Sequence, residues 1–400
     1  MSIEQKQQAL KKQMQKNNGI LRCRPTWVIR DTLPAGRRLK LDPRDLYRFG
    51  ADKGCITERY FGSTGEPGIS KIDIDREYYI PMDQAIEMMG GEILGDDVMN
   101  TYGGLISFAK LYDFSIPIPH HIHPPERYAK MLGLTPKPEA YFFPAQFNSV
   151  TYHSDYTFFG VQPDVTKQDI YNCLIKMRDN VSDNGILELS RAYKLKLDTG
   201  WNLPAGVLHA PGSLVTYEPQ RTSDAAIFFQ TFVQDRHFGW DQLKSMTLGG
   251  TDEEMIEFVL DMLDWEKNID PDFKKKYYHE PICIVEEDEG KGYYESIVCY
   301  GSAEFSAKSL TVLPGCTVTV TDDSSYCLYM VEGFGSINGQ ELETPSMIGF
   351  NDIPADEVFV TRDAAREGVK IENKSHFSRL VMFKNFGPDN QESKKYMNTR

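Results

Sequence analysis

The sequence predicts a mainly β protein: two barrel- or sandwich-like β units with inserted helices, preceded by an α+β segment. Three observations lead there. Residues 111–250 carry short strand-like runs between Gly and Pro turns, among them KPEAYFFPAQ, YTFFGVQP, RAYKLKLDTGWNLP, SLVTYEPQ and AAIFFQTFV. Residues 280–400 return to that texture in ESIVCYG, AEFSAKSLTVLPGCTVTVT, YCLYMVEGFGSINGQEL and SRLVMFKNF. Between them, TDEEMIEFVLDMLDWEK spaces its apolar residues at the helical period, with acids in the first turn where the helix dipole favours them. Many short strands punctuated by turn residues are the pattern of sandwiches and barrels.

In chain order, MSIEQKQQALKKQMQKNNG reads as a short exposed helix ending near Asn18-Gly19. It lacks the apolar stretch of a secretory signal, so the expected compartment is the cytoplasm. Residues 1–110 mix short strands, turns and helices, including MDQAIEMMGGEIL, and are expected to form an extension packed on the first β unit. That unit, 111–250, is interrupted by a helix from Thr166 to Arg178, whose Thr with an acid three residues on resembles a capping box. Residues 251–279 are expected as a helical connector, and 280–400 as the second unit, where VEGFGSINGQEL marks a hairpin.

Bulk properties exclude several functions. The net charge of -14 opposes nucleic-acid binding, which needs Lys and Arg against phosphate, and opposes docking on an anionic membrane. No stretch approaches the roughly 20 apolar residues of a membrane helix. The seven cysteines are scattered, odd in number and free of any C-x-x-C, which argues against a disulfide framework or a Cys-rich zinc site. Barrel edges often pair, which leaves a homodimer open.

The chemistry concentrates in IPIPHHIHPPERYAKMLGLTPKPEAYFFP. His121 and His123 are two apart, and on a strand residues i and i+2 share a face, so both imidazoles aim into one space. Glu139 follows on a second strand. His209 follows in GWNLPAGVLHA, where Pro204-Ala205-Gly206 turns the chain back. Three imidazoles and a carboxylate suit one divalent transition-metal ion, zinc first, with Fe, Mn, Ni and Co as alternatives. A lone strand histidine is more often structural, but three on these positions are harder to dismiss. His120 points to the opposite face. The second unit has one histidine, His376, so the two units look alike in texture and not in chemistry.

H-x-H, then Glu, then P-x-G-x-x-H resembles the cupin signature, which implies jelly-roll barrels, the second of them degenerate. More narrowly, PHHIHPPERYA, Lys137-Pro138-Glu139, LPAGVLHA and EPQRTSDAAIF resemble the metal-dependent mannose-6-phosphate isomerases, which read S-I-Q-x-H-P, K-P/T-E, V-P-A-G-x-x-H-A and E-x-Q-x-x-S-D-x-x-Y-R. The likeness covers about 110–235. Two departures stand out: the family's Gln ligand is His121 here, and its arginine after S-D falls at Phe228.

The resemblance implies an aldose–ketose isomerase acting on a sugar or sugar phosphate. Candidates for moving the proton are Lys137, Glu126, His153 and Tyr141. Lys137 shares the inward face with Glu139, where an ammonium suits an anionic substrate or intermediate. Tyr141 and Trp201 are candidates to stack on the sugar, and Arg127, Arg221 or Arg236 to replace the missing arginine. A cupin metalloenzyme of another reaction type, such as an Fe dioxygenase, would use the same ligands. A non-catalytic carbohydrate-binding or regulatory bicupin is the third reading.

Overall fold

In the computed structural model, which describes residues 2–149, 155–233 and 235–396, strand outweighs helix, 32% to 26%. The burial of the strands shows how they stack. Thr317–Val320 alternates exposed and buried, as a strand with one wet face must. Cys55–Phe61, Ser107–Tyr112 and Leu380–Phe386 are buried at every position. Such strands need cover on both faces, and four sheets in layers provide it.

A five-stranded antiparallel sheet runs Ser190–Lys194, Tyr156–Val161, His209–Ala210, His121–Ile122, Ile227–Phe228. It faces a seven-stranded sheet ordered Tyr278–His279, Gly200–Leu203, Glu139–Phe142, Thr216–Arg221, Ser107–Tyr112, Cys55–Phe61, Thr26–Arg30. Aromatic side chains fill part of the space between them: Tyr141, Phe159 and Trp201 belong to one buried cluster. The other face of the seven-stranded sheet packs on a nine-stranded sheet, with Phe61 against Tyr329 and both Phe142 and Tyr217 against Phe383. That sheet then faces a four-stranded one across an aliphatic core that includes Leu328, Val360, Ile337 and Ile371.

The first 110 residues, expected as an extension on the first unit, supply strands to both large sheets. Thr26–Arg30, Cys55–Phe61 and Ser107–Tyr112 lie in the seven-stranded sheet. Ile20–Arg24, Lys71–Asp73 and Tyr79–Pro81 lie in the nine-stranded sheet, where Leu21 pairs with Phe359. Cys55–Phe61 and Ser107–Tyr112 are buried on both faces and lose the period-2 signature, so these two did not show in the sequence pattern.

The expected helices form. Ile3–Lys16 starts on a capping box between Ser2 and Gln5, and Lys167–Arg178 on one between Thr166 and Asp169. Residues 251–279 break into Asp252–Leu260, Trp265–Asn268 and Phe273–Tyr277, then add the edge strand Tyr278–His279. Helices Lys167–Arg178 and Asp252–Leu260 cover the outer face of the five-stranded sheet through Ile170, Leu174, Ile256 and Leu260 against Ile122 and Ile227. Among the described residues no helix is long and apolar enough to cross a membrane.

Candidate metal centre

His121 stands in a cross-strand row, paired with His209 on one side and Phe228 on the other. His123 follows two residues on, so the H-x-H spacing turns its ring the same way. Ring centroids lie 4.0 Å apart for His121 and His209, 5.0 Å for His123 and His209, and 5.2 Å for His121 and His123. One ligand atom from each of the three falls within 4.8 Å of the others.

Each ring is held by its other nitrogen. Nδ1 of His121 lies 2.8 Å from the carbonyl of Pro119, that of His123 2.8 Å from Ala225, and that of His209 2.8 Å from Val207. A carbonyl can only accept, so each Nδ1 carries the hydrogen and each Nε2 is left with its lone pair. The Nε2 of His209 is buried without a hydrogen-bond partner, an orphan that a metal ion would satisfy. Burial, with His209 and His123 beside it, pushes His121 well below the usual imidazole range. Burial, with Lys137 near, pushes His123 down to about 4. Both are therefore neutral, the form that binds a metal.

The turn before His209 is anchored from afar. Gly206 has φ +79°, and a Cβ there would sit 2.8 Å from the carbonyl oxygen of Met262, so no side chain fits. The buried Asn268 donates to the Gly206 carbonyl at 2.8 Å and accepts from the Leu208 N–H at 2.8 Å. Gly206 N–H in turn donates to the His123 carbonyl at 2.9 Å, tying the two ligand segments together.

Glu139 reaches in from the facing seven-stranded sheet. Its oxygens lie 3.1 Å from His123 Nε2 and 3.4 Å from His209 Nε2. Lys137 donates to it at 2.7 Å and Tyr141 donates to its other oxygen. Burial works against its charge, but Lys137 and His123 hold the carboxyl well below the usual range. Burial likewise opposes the charge on Lys137, and Glu139 and Glu218 more than offset it, leaving its pKa raised.

A line of alternating charge leads away from this carboxylate, one strand at a time. Lys137 is 3.3 Å from Glu218, Glu218 is 3.4 Å from Lys110, Lys110 is 3.2 Å from Glu58, and Glu58 is 2.8 Å from Arg30. Arg30 ends the line on Asp224 at 2.7 Å. Lys110 and Glu218 are direct cross-strand partners, where opposite charges stabilise. Burial and Glu139 push Glu218 up to about 8.

The other expected site residues scatter. Glu126 is exposed on a surface helix and pairs with Lys130 at 2.6 Å. Arg127 is exposed over the ring of Tyr128. Trp201, expected to stack on a sugar, is 1% exposed inside the aromatic cluster. Tyr141 is buried beneath Glu139. Arg221 pairs with Glu304 at 3.0 Å, and Arg236 is exposed on a short hairpin. His120 faces away, as expected, with Nδ1 2.8 Å from the Gln230 side-chain oxygen. His153 lies outside the described residues. Glu58 was considered from sequence only as a residue near the barrel mouth, and Arg30, Lys110 and Glu218 were not singled out. The signal for Lys110 was a lone charge in the otherwise uncharged strand SFAKLY.

No protein-family model and no curated protein matches the chain by sequence. Solved structures do match in shape. Mannose 6-phosphate isomerase from Bacillus subtilis superposes with a TM-score of 0.62, over 92% of this chain and 99% of that one, at 14% identity. The chain has the mannose-6-phosphate isomerase fold. A single-residue variant of phosphomannose isomerase from Salmonella typhimurium gives a TM-score of 0.61 over 91% and 99% at 14% identity. A zinc-bound mannose 6-phosphate isomerase gives 0.60 over 92% and 99% at 14% identity. The mannose-6-phosphate isomerase likeness read from the motifs thus extends, at the level of fold, to nearly the whole chain.

Proposed function

We propose that this protein is a metal-dependent aldose–ketose isomerase acting on a sugar or sugar phosphate. The observation that carries the reading is the convergence of three buried imidazoles, each with Nδ1 on a carbonyl and one ligand atom of each within 4.8 Å of the others, beside a buried Glu–Lys pair. It stands on a fold shared with isomerases, one of them zinc-bound. We read the two β units as two cupin-type jelly rolls, the second without a metal site.

His121, His123 and His209 would hold the ion, with Glu139 closing the set from the facing sheet. Zinc suits these nitrogen and oxygen donors. A divalent ion held there orients a sugar's oxygens and polarises its carbonyl. Isomerisation moves a proton between neighbouring carbons and leaves negative charge on oxygen. The Lys137 ammonium, fixed by Glu139 and Glu218, is placed to stabilise that charge in a buried site. The Glu218 carboxyl, bridged to Lys137 and Lys110, is the neighbouring group placed to exchange a proton with it.

Elemental analysis of the purified chain, followed by an NMR screen for solvent deuterium entering C2 of aldoses, tests the reading. One transition-metal ion per chain and deuterium incorporation are expected. Oxygen consumption by an Fe-loaded protein without deuterium incorporation would replace it with the dioxygenase reading.

A further inference from the structure

Resting on the isomerase reading, we infer that the substrate of this site is an uncharged polyhydroxy carbonyl compound, a free sugar rather than a phosphate ester. Three observations carry this. First, the buried cations around the site are spent: Lys137 is bridged by Glu139 and Glu218, Lys110 by Glu218 and Glu58, and Arg30 by Glu58 and Asp224. A phosphate dianion would have to break one of these pairs and strand a carboxylate, which a buried site resists.

Second, the wall beside His121 is apolar. Phe228 is its direct cross-strand partner, so both side chains share the inner face; their rings are 5.7 Å apart, and Phe238 backs Phe228 at 5.2 Å. An aromatic ring there suits the C–H face of a sugar and offers nothing to a dianion. Third, the polar group left over is neutral and accepts. Gln220 is the cross-strand partner of Glu139, and its Oε1 is buried without a partner while its Nε2 donates to the carbonyls of Arg221 and Ser223. An orphan acceptor is satisfied by a hydroxyl, which donates.

The test uses the full-length, metal-loaded protein. Deuterium incorporation at C2 is compared for free hexoses and pentoses and for their terminal phosphates, and calorimetry compares a neutral hexitol with inorganic phosphate. Free sugars should exchange at least about a hundredfold faster than their phosphates, the scale on which a site with unpaired polar groups rejects the wrong ligand. Hexitol should bind where phosphate does not, and Phe228→Arg should narrow the gap between the two substrate classes about tenfold or more. Faster exchange of the phosphate esters overturns the inference and leaves the isomerase reading intact. Exchange of neither class, with hexitol binding retained, removes the isomerase reading and keeps the preference. Phosphate binding, or binding of neither probe, overturns the preference.

Discussion

On the nine-stranded sheet, Glu295, Lys308 and Lys384 come from three neighbouring strands, as Glu58, Lys110 and Glu218 do on the seven-stranded sheet. The two rows are buried on the inner faces of the two β units and are built differently. In the first unit, opposite charges sit directly across from each other. In the second, Lys308 and Lys384 are the cross-strand pair, two like charges that repel. Asp322 resolves the conflict by giving one oxygen to each lysine, 2.7 Å in both cases. Glu295 and Glu392 complete the shell. The ammonium groups stand among the acids where a metal ion would otherwise go, and no imidazole reaches them. A buried charge row is thus a structural device in the second unit, whereas in the first it ends on Glu139 beside three clustered imidazoles.

The comparison breaks most visibly at the metal. The double substitution His121→Ala/His123→Ala should abolish metal content while leaving the fold, measured by elemental analysis with circular dichroism as the control. Metal retained at one ion per chain would sink the site. Next in size, Lys384→Met in the second unit should cost about 3–5 kcal/mol in urea unfolding, because it leaves the buried Asp322 and Glu295 with Lys308 as their shared cation. It should leave metal content unchanged. A neutral result would mean the second row is not structural. Tyr141→Phe sharpens the first row. It removes the hydroxyl that fixes Glu139 and should weaken metal binding about 10–100-fold in a chelator competition.

The smallest effect belongs to the seam between the units. Arg59 crosses from the seven-stranded sheet to Asp356 at 2.7 Å and Glu357 at 3.1 Å, with all three buried. Burial pushes Glu357 up to about 8. A carboxyl with a raised folded pKa contributes stability that is full below the ordinary carboxylate range and is lost as pH rises through about 8. Thermal midpoints should therefore fall between pH 5 and pH 9, and Glu357→Gln should flatten that slope by a few degrees. An unchanged slope in the variant assigns the pH dependence elsewhere.

The candidate ligands were legible because strand geometry is local: two residues apart means one face, and P-A-G-x-x-H needs only a turn. The capping box at Thr166 was equally local. The charge row was not legible. Its members come from residues 30, 58, 110, 218 and 137, brought together by a strand order that no local pattern encodes. Trp201 and Tyr141 were read as sugar platforms because aromatic residues near a ligand motif serve either use. Their burial decides for packing in one case and for a hydrogen bond to Glu139 in the other.

The Asn268 amide gives the layout a practical meaning. A chain cut after residue 250 would keep every residue expected to bind the metal and lose the side chain that pins the Gly206 turn ahead of His209. It would also lose Tyr278–His279, the edge strand beside Gly200–Leu203. The half that carries the three imidazoles is therefore not a portable module. Grafts or circular permutations that respect only the motif boundaries should yield protein with a floppy third imidazole, and the shortest transplantable unit must run through the helices that follow.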